Sequence, residues 1–184
     1  MSHGVGSRDY PREKSEQRLE AAHSVSKYLG IQEINILNFT DNQFDLHSEL
    51  VINKTISKFV ENWQPDYIFT HSAFDLNVDH QLVAKACLVA SRPKTNSSVK
   101  GVFSFEILSS TNWNFGNTLF EPNFFVDVSK YVEKKIEALK FYETEMDSFP
   151  NSRSVLGVKA LLTYRGTSVG SEAAEAFQIL RLKS

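Results

Sequence analysis

The apolar positions of this chain follow two periods in turn. Leu19, Ala22, Val25 and Leu29 recur at helical spacing, Pro11 suits the first turn ahead of them, and Gly30 suits a left-handed close. EINILNF, residues 33–39, reads as a short strand. A second helix is expected from near Leu46, with Ile52, Ile56, Phe59, Val60 and Trp63 on one stripe and Pro65 as its stop. DYIFTH, residues 66–71, is an apolar strand, followed by the loop SAFDLNV and a third helix from about Asp79 to Ser91, with Pro93 just beyond. VKGVFSFEI, residues 99–107, alternates as a strand does. Further on come a loop through SSTNWNFGN, a strand at NFFVDVS, and a helix capped by Ser129 with Val132, Ile136, Leu139 and Tyr142 as its stripe. A last helix runs through SVLGVKALLTY to Gly166, and the tail AEAFQILRL receives no element from the pattern.

Strand and helix alternate over the first two-thirds, so the expected class is α/β, with a mainly parallel sheet and helices on both faces. No repeat, low-complexity tract or linker interrupts it, and residues 1–184 read as a single domain.

Composition narrows the function classes. Hydrophobic residues make up 41% and charged residues 23%, ordinary values for a globular chain. A formal charge of −2 gives no electrostatic footprint for a nucleic acid, which points to a small-molecule partner instead. No stretch is apolar for the length a membrane span needs, and MSHGVGSRDYPREK lacks the apolar core of a secretory signal, so a cytoplasmic location is expected. Cys87 is the single cysteine and sits in AKACLVA, where it reads as a buried small hydrophobe.

Ligands of open α/β sheets bind outside the carboxyl ends of the strands. Three polar clusters fall at such places: HGVGSR, NFTDNQFD and THSAFDLNVDH. The third puts Asp75, Asn77, Asp79 and His80 between a strand end and a helix start, where a neutral imidazole can bind a metal and a carboxylate can orient it. The plainer reading is that Asp79 caps the helix and His80 is a first-turn surface residue.

The run as a whole resembles the PIG-L/LmbE deacetylase family. HGVGSR, an arginine before a helix ending in LGI, LNFTD, QPDYIFTHSAFDLNVDH, SFEILSST, FEPNFFVDVS, KKIEALKFYETE, and RG followed by AEAF stand in the family's order and span nearly the whole chain. The resemblance implies a Rossmann-like fold carrying one zinc ion, and hydrolysis of the N-acetyl group of an N-acetylglucosamine-type conjugate. It implies zinc ligation by the His and second Asp of an amino-terminal His-Pro-Asp-Asp-Glu motif, whose first Asp is the general base, and by a later histidine that matches His80. Nothing in this chain matches the amino-terminal motif, so the zinc site is expected to be incomplete. Met1 falls inside the family's second strand, and the resemblance implies an amino-terminally truncated domain lacking a strand-helix-strand unit of roughly 30 or more residues.

The remaining site expectations also rest on the resemblance. Asp79 matches the residue beside the zinc ligand that tunes the acid. Asn77 stands where many relatives have an oxyanion-stabilising histidine; an amide can donate to an oxyanion but cannot supply a proton, which leaves His71 as another imidazole for that role. Arg18, twelve residues before Gly30, and Asp41 match substrate-contacting positions. Arg8, Glu106, Asn123 and Arg153 match the pattern without an assigned role. His23 and His47 read as ordinary exposed or helix-face histidines.

Two other readings compete. HGVGSRD has a nucleotide binder's first two glycines but Asp9 where the third belongs. A non-catalytic pseudo-deacetylase or gene fragment would retain only weak sugar binding, and its open sheet edge would favour self-association or pairing with a complementing upstream polypeptide.

Overall fold

The computed structural model describes residues 12–94, 97–113 and 119–183. The expectations for HGVGSR, Arg8, Pro11 and the end of SSTNWNFGN lie outside these residues. The chain gathers into two compact units that interleave in sequence, one of residues up to Phe44 with Asp127–Ala174, the other of Asp45–Val126 with the residues from Glu175 onward.

In the first unit, helix α1 spans Arg12–Leu29. Gly30 ends it at φ 77°, with its N–H on the Lys27 carbonyl and the Ile31 N–H on the Ser26 carbonyl, the paired bonds of a Schellman close. Residues 33–39, expected as a strand, form no part of the sheet. A strand exists only where a neighbour closes its ladder, and Asn35 and Asn38 weaken the β preference of the isoleucines beside them.

Ser129 does not cap a helix. Its hydroxyl donates to the Asp127 carboxylate at 2.6 Å, its N–H reaches the same oxygen at 2.9 Å, and a single 3-10 turn, Ser129–Tyr131, precedes helix α4 at Val132–Lys140. The side chain that organises this start is therefore Asp127. Helix α5, Val155–Thr167, is capped by the Ser154 hydroxyl, which accepts from the Gly157 N–H. Ile136 and Ala138 of α4 and Val158 and Leu162 of α5 are buried, and these two helices pack together.

The second unit holds helix α2 (Glu49–Trp63), strand β1 (Tyr67–His71), helix α3 (Val78–Ala90), strand β2 (Gly101–Phe105), and most of strands β3 (Phe124–Asp127) and β4 (Ala174–Leu182). Helix α3 buries Ala84, Ala86, Cys87 and Ala90. Successive buried positions 86 and 87 mean that it is covered on more than one side, as its packing against both α2 and β1 requires. Cys87 is the buried small residue expected, and burial pushes its thiol upward.

The sheet order is β1-β2-β4-β3. β1 and β2 run parallel from Tyr67 opposite Gly101 to His71 opposite Phe105. β4 lies antiparallel to β2, with a register shift at Val102/Phe103, and amide bonds from Asn123 to Phe177 and from Val128 to Ala173 make the β3 and β4 pairing antiparallel too. The α/β class holds, while the described sheet is mixed rather than mainly parallel. The difference comes from β4, built from the unassigned tail AEAFQILRL. Its Ala, Glu, Gln, Leu and Arg favour helix in isolation, and pairing with β2 overrides that preference.

The tightest backbone approach in the first unit is at Gly166, where an added Cβ would lie 2.6 Å from the Ser171 carbonyl and 2.7 Å from the Ala173 nitrogen. Those neighbours are backbone and cannot rotate away. Gly166→Ala should destabilise the protein by about 1–3 kcal/mol through overpacking. Gly30→Ala, at an open position with φ 77°, should lose only about 1–2 kcal/mol for the left-handed backbone. Urea unfolding of the two variants checks this, and a wild-type midpoint for Gly166→Ala would show that the approach relaxes at no cost.

Candidate active site

β1 delivers His71 at its carboxyl end, residues 72–77 turn, and α3 begins at Val78. Each bond in this turn is made by a side chain suited to it. The Ser72 hydroxyl accepts from the Phe74 N–H at 3.2 Å, and the Ser72 carbonyl accepts from the Asp75 N–H at 3.3 Å. Asp75 Oδ1 accepts from the Asn77 N–H at 2.8 Å. Asn77 then caps α3, its Oδ1 taking the N–H groups of Asp79 at 2.8 Å and His80 at 3.3 Å. The cap is therefore Asn77 and not Asp79, which is buried in the first turn. Gln81 reaches back from the next turn, donating to the Asp75 carbonyl at 2.6 Å.

Asp75 is the centre of this arrangement, with 0% of its surface exposed. Its Oδ2 accepts from the hydroxyls of Thr111 at 2.5 Å and Ser110 at 3.0 Å, and Thr111 in turn accepts from the Ile107 N–H at 2.7 Å. One carboxylate thus joins the loop after β1 to the turn after β2. His80 Nδ1 lies 3.1 Å from Asp75 Oδ1, off the line that a good hydrogen bond needs, so the pair meets as an electrostatic contact. Burial pushes the Asp75 carboxyl up, but His80, Thr111, the Asn77 amide and Ser110 together outweigh it and bring the value down to about 2.

His71 lies flat on His80, ring centroids 4.1 Å apart and planes 8° from parallel, with Phe105 on a further contact at 5.0 Å. Burial first, and then the neighbouring His80, push His71 down to about 4, while Asp75 pulls the other way by less. Its Nδ1 is buried with no hydrogen-bond partner among the described residues. His71 is therefore neutral at physiological pH, and an imidazolium to protonate a leaving amine does not reside there.

The structure brings Asn77, Asp79 and His80 together with His71 and Asp75 in the second unit. Arg18 and Asp41 belong to the first unit. There Arg18 pairs with Glu145 at 3.2 Å, and Arg153 takes the other oxygen of the same carboxylate at 2.9 Å. Asp41 accepts from the Asn42 side chain at 3.1 Å, beside the left-handed backbone of Asn42 at φ 54°. Of the positions without a role, Asn123 proves structural, its Oδ1 accepting from the Ile179 N–H at 2.8 Å. Glu106 accepts from Asn112 at 3.5 Å, a long contact. His23 and His47 are exposed, as expected.

Zinc as an expected cofactor can be tested against these donors. An imidazole whose Nδ1 faces a carboxylate has the form of a zinc ligand with its orienting partner. Among the described residues no three of His, Cys, Asp and Glu converge as a catalytic zinc site requires. They supply one fitting ligand and not a complete set. Two roles escaped the reading of the sequence: Glu145, which ends KKIEALKFYETE without being singled out there, and Asp75 as the hub, because its partners Ser110 and Thr111 are 35 and 36 residues away.

Both depressed values carry a stability consequence. The unfolded chain protonates His71 near 6.5 and Asp75 near 3.8, before the folded chain does at about 4 and about 2. Each contribution is therefore complete above the unfolded value and is lost as pH falls, for His71 between about 6.5 and 4 and for Asp75 between about 3.8 and 2. The His71 share is on the order of 3 kcal/mol at about 1.4 kcal/mol per unit. His71→Phe, which keeps a flat ring in the stack, should flatten the fall in urea midpoint between about pH 7 and about pH 4.5. A folded His71→Phe protein with the wild-type slope would assign that dependence to other groups.

Comparison with known proteins adds family and fold. Residues 1–91, which include β1, the 72–77 turn and α3, match the family model PIG-L, described as GlcNAc-PI de-N-acetylase. The fold is similar to that of the N,N'-diacetylchitobiose deacetylase from Pyrococcus horikoshii, with a TM-score of 0.74 at 18% identity over 98% of this chain and 71% of that one. It is also similar to the conserved protein TT1542 from Thermus thermophilus, with a TM-score of 0.70 at 21% identity over 95% and 76%. The A40926 pseudoaglycone deacetylase Dbv21 matches with a TM-score of 0.67 at 16% identity over 92% and 72%. At such identities the solved structures speak to the fold, and the family comes from the match itself: residues 1–91 of this chain match the PIG-L family.

Proposed function

We propose that this protein takes part in hydrolysing the N-acetyl group of an N-acetylglucosamine-type conjugate, with acetate and the free amine as products and zinc as the cofactor. The observation that carries the proposal is the His80 imidazole facing the buried Asp75 carboxylate at the carboxyl end of β1, inside the family match. His80 is the described residue that would hold zinc, which when bound lowers the pKa of water toward neutrality and so makes a nucleophile available.

The chain's own residues divide the remaining work. Asn77 spends its amide oxygen on the helix cap, so its Nδ2 hydrogens are the part of the side chain that can donate to a developing oxyanion. Helix α3 starts at the same point, and its positive end favours negative charge there. Asp79, beside His80, would tune the proton balance of the site. Arg18, with Arg153 on the shared Glu145, and Asp41 would meet sugar hydroxyls or an anionic substituent. The expected setting is the cytoplasm; among the described residues no helix is long and apolar enough to cross a membrane.

Residues 1–184 contain no His-Pro-Asp-Asp-Glu motif, and the proposal assigns two zinc ligands and the general base to it. This polypeptide alone should therefore leave acetyl conjugates unhydrolysed, while a version extended upstream to include such a motif should release acetate from N-acetylglucosamine conjugates when supplied with zinc. In that version His80→Ala should lose most of its zinc and activity, and Asp79→Asn should keep the metal and lose rate. Acetate release and metal analysis read both outcomes. Equal activity with and without the motif would show the catalytic groups to be misplaced. A folded, zinc-loaded extended protein that releases no acetate would leave the pseudo-deacetylase reading.

A further inference from the structure

We propose that Asp75 is a positioning residue that fixes His80 as the Nδ1–H tautomer, so that Nε2 carries the lone pair the site uses. The inference rests on the reading of His80 as the metal-binding imidazole and goes on to name the group that prepares it. Asp75 stands in neither the expected ligand set nor the expected catalytic set.

The argument begins with the two oxygens of one carboxylate. Oδ2 is committed to the Thr111 and Ser110 hydroxyls, at 2.5 and 3.0 Å. Those contacts hold the carboxylate from the side of the turn after β2. Oδ1 accepts from the Asn77 N–H at 2.8 Å and lies 3.1 Å from His80 Nδ1. A neutral imidazole has one nitrogen with a hydrogen and one with a lone pair. A lone pair directed toward a buried carboxylate at 3.1 Å is repulsive, whereas an N–H there is attractive even off the ideal line. The electrostatics therefore place the hydrogen on Nδ1 and leave Nε2 bare.

The ring is also held in its plane. His71 stacks on it at 4.1 Å and 8°, covering one face. Rotating the ring by a half-turn would keep the stack but would set a carbon in place of Nδ1 against Asp75 and lose the contact. Stack and carboxylate together select one orientation, and Asp75 alone selects the tautomer. Asn77 adds a tie from the backbone, since its N–H binds Asp75 and its Oδ1 binds the His80 N–H.

The test needs neither metal nor turnover. Two-bond proton–nitrogen correlation spectra of 15N-labelled residues 1–184, recorded at about pH 8.5 where an imidazole is neutral, report which His80 nitrogen carries hydrogen. The His80 signals are assigned by their loss in His80→Gln. We expect Nδ1–H with a bare Nε2 in the wild type, and a mixture of tautomers in Asp75→Asn, with the backbone spectrum showing that the fold persists. Wild-type His80 as Nε2–H, or as an even mixture, overturns the proposal. So does a folded Asp75→Asn protein that keeps the wild-type tautomer. If Asp75→Asn fails to fold, the wild-type spectrum decides alone. Absence of acetate release from the upstream-extended, zinc-loaded protein with the Nδ1–H tautomer in place would sink the proposed function and leave the positioning role standing.

Discussion

A carboxylate with no exposed surface survives in a protein interior only if donors replace the water it has lost, and Asp75 draws those donors from three directions. Two hydroxyls come from the turn after β2, one amide from its own loop, and one imidazole from the first turn of α3. Stripping a carboxylate of water costs several kcal/mol, while hydrogen bonds to a charged group return about 1.5–3 kcal/mol each. Three good hydrogen bonds and a close imidazole are enough to keep the group ionised, which is why its value falls although burial pushes the other way. The cost and the return depend on the same geometry. The loop after β1, the turn after β2 and the start of α3 are thereby made to agree on one arrangement.

Parallel pairing of β1 and β2 is what makes that agreement reachable. The two strands run in the same sense, with His71 opposite Phe105, so the loops that leave them emerge at the same end of the sheet. An antiparallel neighbour would have sent the Ser110–Thr111 turn to the opposite end. β4 completes the sheet in the antiparallel sense without disturbing this, because it pairs on the other side of β2 from β1.

Much of this was legible in the sequence where the signal is local. Gly30, Pro65 and the helical stripes placed three helices within a few residues of where they stand, because caps and periodicity are properties of neighbouring residues. The grouping of the polar residues from Asp75 to His80 between a strand end and a helix start was legible for the same reason. What escaped depends on residues far away in the chain. β4 carries helix-forming residues and becomes a strand only because β2 offers an edge. EINILNF has strand-like isoleucines and stays out of the sheet. Ser129 follows a serine's preference for helix starts, yet its hydroxyl is taken by Asp127. Asp75 looked like one acid among several until Ser110 and Thr111 closed on it.

Asn77 shows how the same constraint shapes chemistry. Position 77 must accept hydrogen bonds from the first turn of α3, and asparagine is among the best residues for that, worth about 1 kcal/mol over alanine. A histidine in its place would cap less well, and any positive charge it took up would face the positive end of a helix 13 residues long. Asparagine removes both penalties and retains amide donors suited to negative charge, but it gives up proton delivery. The neighbouring imidazole does not make up the loss, since His71 is held neutral by burial and by His80. Asn77 and His71 therefore leave proton delivery to other groups, and on the proposed reading the proton for a leaving amine comes from neither of them.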